Sequence, residues 1–188
     1  MSAPITFPEA SPESLGIPSA AIERYLDHVR DRNLELNSLM ILRHGKLAAA
    51  GWWAPYAPEL VHAAHSLTKS FTSTAIGLMI HEGRIGLHDR VADLFPSDMP
   101  PDPSDYLLQM DLWHLLTMTC GHETEPMPGG AENYARAFLA HPVARKPGTH
   151  YLYNSMASYM LTVLIYEKTG MNLLDYLRPR VLDPIGIG

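Results

Sequence analysis

The chain has 188 residues, 46% of them hydrophobic, and a formal net charge of −6. That size and balance suit one soluble globular domain and argue against nucleic acid or an anionic membrane as partner. The single cysteine, Cys120, excludes an internal disulfide and a cysteine-built zinc site.

Residues 1–17 are broken by prolines, so a surface segment is expected there. The first twenty residues lack the basic start and apolar core of a signal peptide. Pro18-Ser19 opens a helix, with Ile22, Tyr25, Leu26 and Val29 at helical spacing. Leu39-Met40-Ile41-Leu42, the turn His44-Gly45 and the run from Leu47 to Trp53 predict a hairpin with a two-residue turn. The unbroken apolar run Leu39–Leu42 predicts a strand covered on both faces. Two strands alone are marginal in water, so this hairpin needs a larger sheet or a helix beside it. No apolar run approaches the roughly 20 residues of a membrane span, and a cytoplasmic location is the default expectation.

From Ser66 the sequence predicts a helix that is apolar on most sides, opened by a serine and closed by Gly83. Arg84–Leu94 is short and turn-rich, and Phe95-Pro96 leads into a proline-rich loop through Pro103. Asp111 reads as the N-cap of a short helix carrying Leu112, Leu115 and Leu116 and ending near Gly121. His122–Gly130 is irregular. Ala131–Ala140 is helical, with Tyr134 and Phe138 one turn apart, and Pro142–His150 is a loop. Met156–Thr169 is a helix ended by Gly170. Leu173–Leu182 is a last helix that must kink or break near Pro179. There are no repeats and no low-complexity tracts.

Two stretches carry the chemistry. In Ser66-Leu67-Thr68-Lys69 the serine and lysine lie three residues apart, on one face of a helix. Serine is a poor nucleophile until a base takes its proton, and a lysine at its free pKa of about 10.4 is too fully charged to be that base. Burial in the apolar helix would favour its neutral form. The helix N-terminus adds partial positive charge where an oxyanion would form. The plainer reading makes Ser66 an N-cap and Lys69 a surface lysine. The second stretch is Tyr151-Leu152-Tyr153-Asn154-Ser155, just before the Met156 helix. Its plainer reading has Asn154 or Ser155 as the cap and the tyrosines packing. His62 and His65 are three apart, but no His-Glu-x-x-His run or carboxylate at ligand spacing accompanies them. Neither a metal nor a cofactor is expected.

Taken together, these stretches resemble the serine β-lactamase and penicillin-recognising family, which includes class C-like β-lactamases, DD-peptidases and related esterases and amide hydrolases. The likeness runs from about Ile17 to Gly188. His65-Ser66-Leu67-Thr68-Lys69-Ser70-Phe71 is similar to the family's first motif, and Glu82-Gly83 through Leu87-His88-Asp89-Arg90-Val91 to its usual continuation. Leu115-Leu116-Thr117-Met118-Thr119-Cys120-Gly121-His122 resembles the segment ending a short helix near the site. Pro147-Gly148-Thr149-His150-Tyr151-Leu152-Tyr153-Asn154-Ser155 resembles the run into the second motif.

The resemblance implies Ser66 as nucleophile, Lys69 as its partner and Tyr153 as proton shuttle, with Asn154 and Ser155 supporting or binding substrate. Ser155 stands where the motif often has asparagine, which favours general ester or amide hydrolysis over penicillin chemistry. The implied fold is α/β (α+β), β-lactamase/transpeptidase-like. Residues 1–65 would supply the helix and hairpin of an αβα sheet region, and residues 66–188 the nucleophile helix and an all-helical region.

The family's third motif, on an edge strand, has no counterpart. Lys168-Thr169-Gly170 imitates it but closes an amphipathic helix, where a lysine and then a glycine are favoured. The chain therefore reads as lacking the C-terminal strands and the second oxyanion donor. The expectation is a serine hydrolase acting on a small amide or ester through an acyl-enzyme. The alternatives are an incomplete chain with little or no turnover of its own, which self-associates or needs a complementing polypeptide to supply further strands, and a penicillin-binding sensor that acylates without turnover.

Overall fold

The computed structural model describes residues 7–187. Residues 1–6 of the expected surface segment, and Gly188, lie outside the described residues. The chain divides after Ala64 into two units.

In the first unit a short 3-10 turn, Glu13–Leu15, precedes α1, Ser19–Asp31. The Glu13 carboxylate accepts the Ser19 backbone N–H at 2.9 Å, satisfying one orphan donor of the first turn. Strands β1, Ser38–Arg43, and β2, Lys46–Trp52, form an antiparallel hairpin. Its turn residues His44 and Gly45 both have positive φ, 51° and 72°, the conformation that matches strand twist in two-residue hairpins. Pairing runs from Ser38 opposite Trp52 to Ile41 opposite Ala49, then slips so that Leu42 faces Leu47. Ala48 is the extra residue of this bulge. Pro8–Ala10 lies along the other edge of β2. Leu47 N–H donates to Pro8 C=O at 2.9 Å, and Ala10 N–H to Leu47 C=O at 3.1 Å.

The expectation that Leu39–Leu42 is covered on both faces does not hold. Met40 and Leu42 stay exposed, because side chains alternate and nothing among the described residues covers their face. No side chain of α1 is buried either.

The second unit holds the large core. A 3-10 turn, His65–Leu67, leads into α2, Thr68–His81. Thr72, Ala75, Ile76 and Met79 form its buried stripe at helical spacing. Gly83, with φ 68°, ends it: Arg84 N–H donates to Met79 C=O and Gly83 N–H to Ile80 C=O, both at 3.0 Å. Next come α3, Val91–Leu94, and α4, Asp105–Gln109, capped by the Ser104 side chain. The α4 turn is not anticipated from the sequence.

Helix α5, Leu112–Thr117, starts at Asp111 with a reciprocal capping box through His114. It ends at Met118, earlier than Gly121, because Met118 turns left-handed at φ 55°. Helix α6 is Tyr134–Ala140, capped by Asn133. Helix α7, Ser155–Thr169, buries Met156, Ala157, Met160, Leu161, Leu164 and Ile165 and closes on left-handed Gly170. Helix α8, Leu173–Leu177, passes into a π-helical turn, Arg178–Leu182, at Pro179. Helices α2, α5, α6 and α8 all pack on α7, which is therefore the central element of this unit. Each fully buried Leu, Ile or Met of that helix contributes roughly 1.5–3 kcal/mol. The mixed helix-and-strand class is as expected. No helix among the described residues is long and apolar enough to cross a membrane.

Candidate active site

The site is built from the approach to α2 and the approach to α7, both in the second unit. Ser66 sits in the turn before α2 and is not its cap: the α2 N-terminus has no side-chain cap hydrogen bond. Its hydroxyl is thus free of the backbone. The preceding residue, His65, has φ 43°, a conformation that costs free energy for a non-glycine residue and re-aims the chain just before Ser66. Lys69 Nζ donates to Ser66 Oγ at 3.2 Å. Lys69 is only partly buried, not sunk in the apolar helix as its sequence context predicts, since the first turn of α2 faces outward.

Tyr153 comes from 87 positions further along the chain, and its hydroxyl lies 2.6 Å from Ser66 Oγ, with either oxygen able to donate. Lys69 Nζ stands 5.1 Å from the Tyr153 ring centroid. The neighbouring Lys69, and next the hydrogen bond with Ser66, hold the Tyr153 phenol below its ordinary range, with a smaller contribution from Ser155. Tyr153 is 44% exposed and Ser66 is exposed, so a substrate can reach both. Tyr151 is turned further into solvent, at 62% exposed, and the tyrosine hydroxyl on Ser66 is that of Tyr153.

Asn154 and Ser155 diverge. Asn154 is 1% exposed. Its Oδ1 accepts the Ala157 backbone N–H at 2.9 Å, making it the cap of α7. Ser155 is exposed, and its backbone N–H donates to Glu125 Oε1 at 2.6 Å. The structure thus brings Ser66, Lys69, Tyr153 and the Ser155 side together, and sets Asn154 beneath them.

Under this surface, residues 118–121 form a bed for the chain running into Tyr153. Arg145 N–H donates to Gly121 C=O at 3.0 Å, Gly148 N–H to Thr119 C=O at 2.8 Å and Leu152 N–H to Met118 C=O at 3.1 Å. The Asn154 N–H donates to Met118 Sδ at 3.4 Å. Gly121, at φ 89°, lies so close to the Arg145 carbonyl that a Cβ could not be added.

Two residues that sequence reasoning passes over also belong here. His122 is 1% exposed and lies 3.2 Å from the Asn154 amide through Nδ1. Burial, and then the neighbouring His141, lower its pKa to about 4. Glu125 braces the first turn of α7. Neither has a local pattern that marks it, although Gly121-His122 ends one of the segments quoted above.

The other histidines fall elsewhere. His62 stacks on Tyr56 in the first unit, and His65 begins the turn before Ser66. Asp111 bridges His88 and His114 at the head of α5. Among the described residues no three His, Cys, Asp or Glu side chains gather as a metal site. Lys168-Thr169-Gly170 closes α7, with Gly170 N–H on Tyr166 C=O at 2.7 Å.

Comparison with known proteins gives one family. Residues 13–188 match the family model described as Beta-lactamase. Among solved structures, the β-lactamase/D-alanine carboxypeptidase from Pseudomonas syringae superposes with a TM-score of 0.74 at 21% identity, over 92% of this chain and 50% of its own. The octameric penicillin-binding protein homologue from Pyrococcus abyssi gives 0.72 at 22%, over 90% and 43%. The D-stereospecific amidohydrolase from a Streptomyces species gives 0.60 at 22%, over 73% and 46%. The chain spans half or less of the length of these three structures.

Proposed function

We infer the activity of this chain from one established premise: it belongs to the beta-lactamase family. We propose that it is a serine hydrolase, cleaving an amide or ester bond of a small molecule through an acyl-serine intermediate. The observation that carries this is the three-way contact of Ser66 Oγ with Tyr153 at 2.6 Å and Lys69 at 3.2 Å.

The contact supports the following sequence. Tyr153, held toward its phenolate by Lys69, accepts the Ser66 proton as Oγ attacks the substrate carbonyl carbon. The carbonyl oxygen becomes a tetrahedral oxyanion at the first turn of α2, where helix-end N–H groups favour negative charge. Collapse of the intermediate expels the amine or alcohol, which takes the proton from Tyr153, and leaves Ser66 esterified. Water then attacks this ester, giving a proton to Tyr153, which returns it to Ser66 Oγ as the acid leaves. Lys69 stays in place throughout as the hydrogen-bond donor to Ser66 Oγ and the neighbour that holds down the Tyr153 phenol. Solved neighbours whose names specify an amidohydrolase and a carboxypeptidase support amide bonds as the first substrates to try.

The test is covalent labelling of the purified chain with a fluorophosphonate, read by intact mass, beside nitrophenol release from a short-chain ester. Labelling that disappears in Ser66→Ala is expected. Equal labelling of that variant removes Ser66 from the site. A single burst of nitrophenol with a lasting adduct converts the reading to a protein that acylates without turnover.

A further inference from the structure

The mechanism leaves one buried titratable side chain unused. His122 is 1% exposed, and its Nε2 has no hydrogen-bond partner among the described residues. Phe138 packs edge-on against the ring at 5.0 Å and His141 at 5.3 Å. A buried polar atom without a partner costs free energy, and such a site would ordinarily be filled by an apolar residue. What the ring supplies in return lies at its other nitrogen, Nδ1, 3.2 Å from Asn154 Nδ2.

The direction of that bond follows by elimination. Asn154 Oδ1 already accepts the Ala157 N–H, so the end of the amide facing His122 is the NH2 group, a donor. Nδ1 is therefore the acceptor, and the ring proton sits on Nε2. Burial keeps this ring neutral, which the acceptor role requires. Asn154 is the residue after Tyr153. Its side chain is fixed at both ends, by α7 and by His122, and its backbone N–H rests on Met118 Sδ at 3.4 Å. On the other side of Tyr153, Leu152 N–H is held by Met118 C=O at 3.1 Å. Tyr153 thus stands between two anchored neighbours, and its hydroxyl meets Ser66 Oγ at 2.6 Å.

Resting on the reading of Tyr153 as the proton acceptor for Ser66, we propose that His122 is a positioning residue of the reaction. It accepts the Asn154 amide hydrogen bond and so sets where the Tyr153 hydroxyl stands relative to Ser66 and Lys69. It does not touch the substrate or move a proton itself.

Two variants of the 188-residue chain separate this role from simple packing. In His122→Asn the new Oδ1 can accept from Asn154 near the former Nδ1. In His122→Leu the volume is kept and the acceptor is lost. Two readouts are taken on each, after circular dichroism confirms the native helix content. The first is the second-order rate of fluorophosphonate labelling at Ser66. The second is the titration of Tyr153 followed by 13C NMR of ring-labelled tyrosine, with Tyr153→Phe used for assignment.

His122→Leu is expected to slow labelling roughly 10- to 100-fold and move the Tyr153 titration up toward the ordinary tyrosine value of about 10. His122→Asn is expected to stay near wild type in both. The proposal is overturned if folded His122→Leu keeps both the wild-type rate and the wild-type titration, or if the two variants lose equally. If the wild-type chain takes no label at all, the hydrolase reading fails. The tyrosine titration then still decides whether His122 sets the position of Tyr153.

Discussion

Acidification offers a quantitative test of the buried histidine under the site. In the unfolded chain His122 titrates at about 6.5, and burial lowers it to about 4 in the folded protein. Between those values the unfolded chain binds a proton that the native state refuses. Stability therefore falls as pH drops from 6.5 to about 4, and this group adds no further slope below that. At 1.36 kcal/mol per pH unit the loss amounts to about 3 kcal/mol, a large part of the 5–15 kcal/mol that holds a typical domain together.

Other groups titrate in the same range. His114, lowered chiefly by burial, has the same sign. Glu82 is held at about 2 by Arg180 and Arg84, so its contribution is present above the usual carboxylate range and fades as pH falls toward 2. Subtracting a His122→Asn control cancels both. The assay is urea unfolding by circular dichroism at half-unit steps from pH 7.0 to 4.5. The stability difference between wild type and variant is expected to shift by 2–3 kcal/mol toward the variant across that span. A difference that stays flat would mean that His122 is not held neutral in the native state. The direction assigned to the Asn154 hydrogen bond would then fall with it.

Removing the phenol by Tyr153→Phe is expected to cost orders of magnitude in the rate of Ser66 acylation, while Tyr151→Phe costs little; a larger loss at Tyr151 would place the proton acceptor two residues earlier. With Tyr153 as the base, the labelling rate should rise with pH to a midpoint below the tyrosine value of about 10, and Lys69→Met should raise that midpoint. Gly121→Ala should destabilise the second unit by about 2 kcal/mol or more, read by denaturant midpoint, because the added Cβ meets the Arg145 carbonyl at a positive φ. The exposed side chains Met40 and Leu42 on β1 should drive self-association, read by light scattering as a molar mass above that of one chain that falls in the double Lys variant.

The sequence makes some of this site legible and hides the rest for definite reasons. Ser66 and Lys69 are readable because a three-residue spacing turns directly into proximity on a helix. The hairpin is readable because His44-Gly45 sits between two apolar runs and two-residue turns have few solutions. The cap of α5 is readable as Asp111, and that of α7 narrows to Asn154 or Ser155, short polar residues ahead of apolar periodicity, of which the structure uses Asn154. By contrast, Ser66 looks like a cap and is not one, because His65 takes a left-handed φ that nothing in a histidine announces. Helix α4 is five residues long, too short for periodicity, and only Ser104 signals it. An apolar run such as Leu39–Leu42 shows that a strand can be covered without saying what covers it. The His122 contact to Asn154 joins positions 32 apart through two side chains, and no local spacing encodes such a pair.

The division between surface and anchor explains how an exposed site can still be ordered. Ser66, Lys69 and Tyr153 meet where water reaches them, and water weakens the attraction between the lysine charge and the phenol. Their order comes from below. The buried stripe of α2 fixes one side, and Asn154, His122 and Met118 fix the other, all against the core around α7. A substrate that covers the site would expel that water without having to assemble the groups. In the proposed reaction the Lys69–Tyr153 attraction then acts through a lower dielectric, which offsets the cost of taking the phenolate out of water.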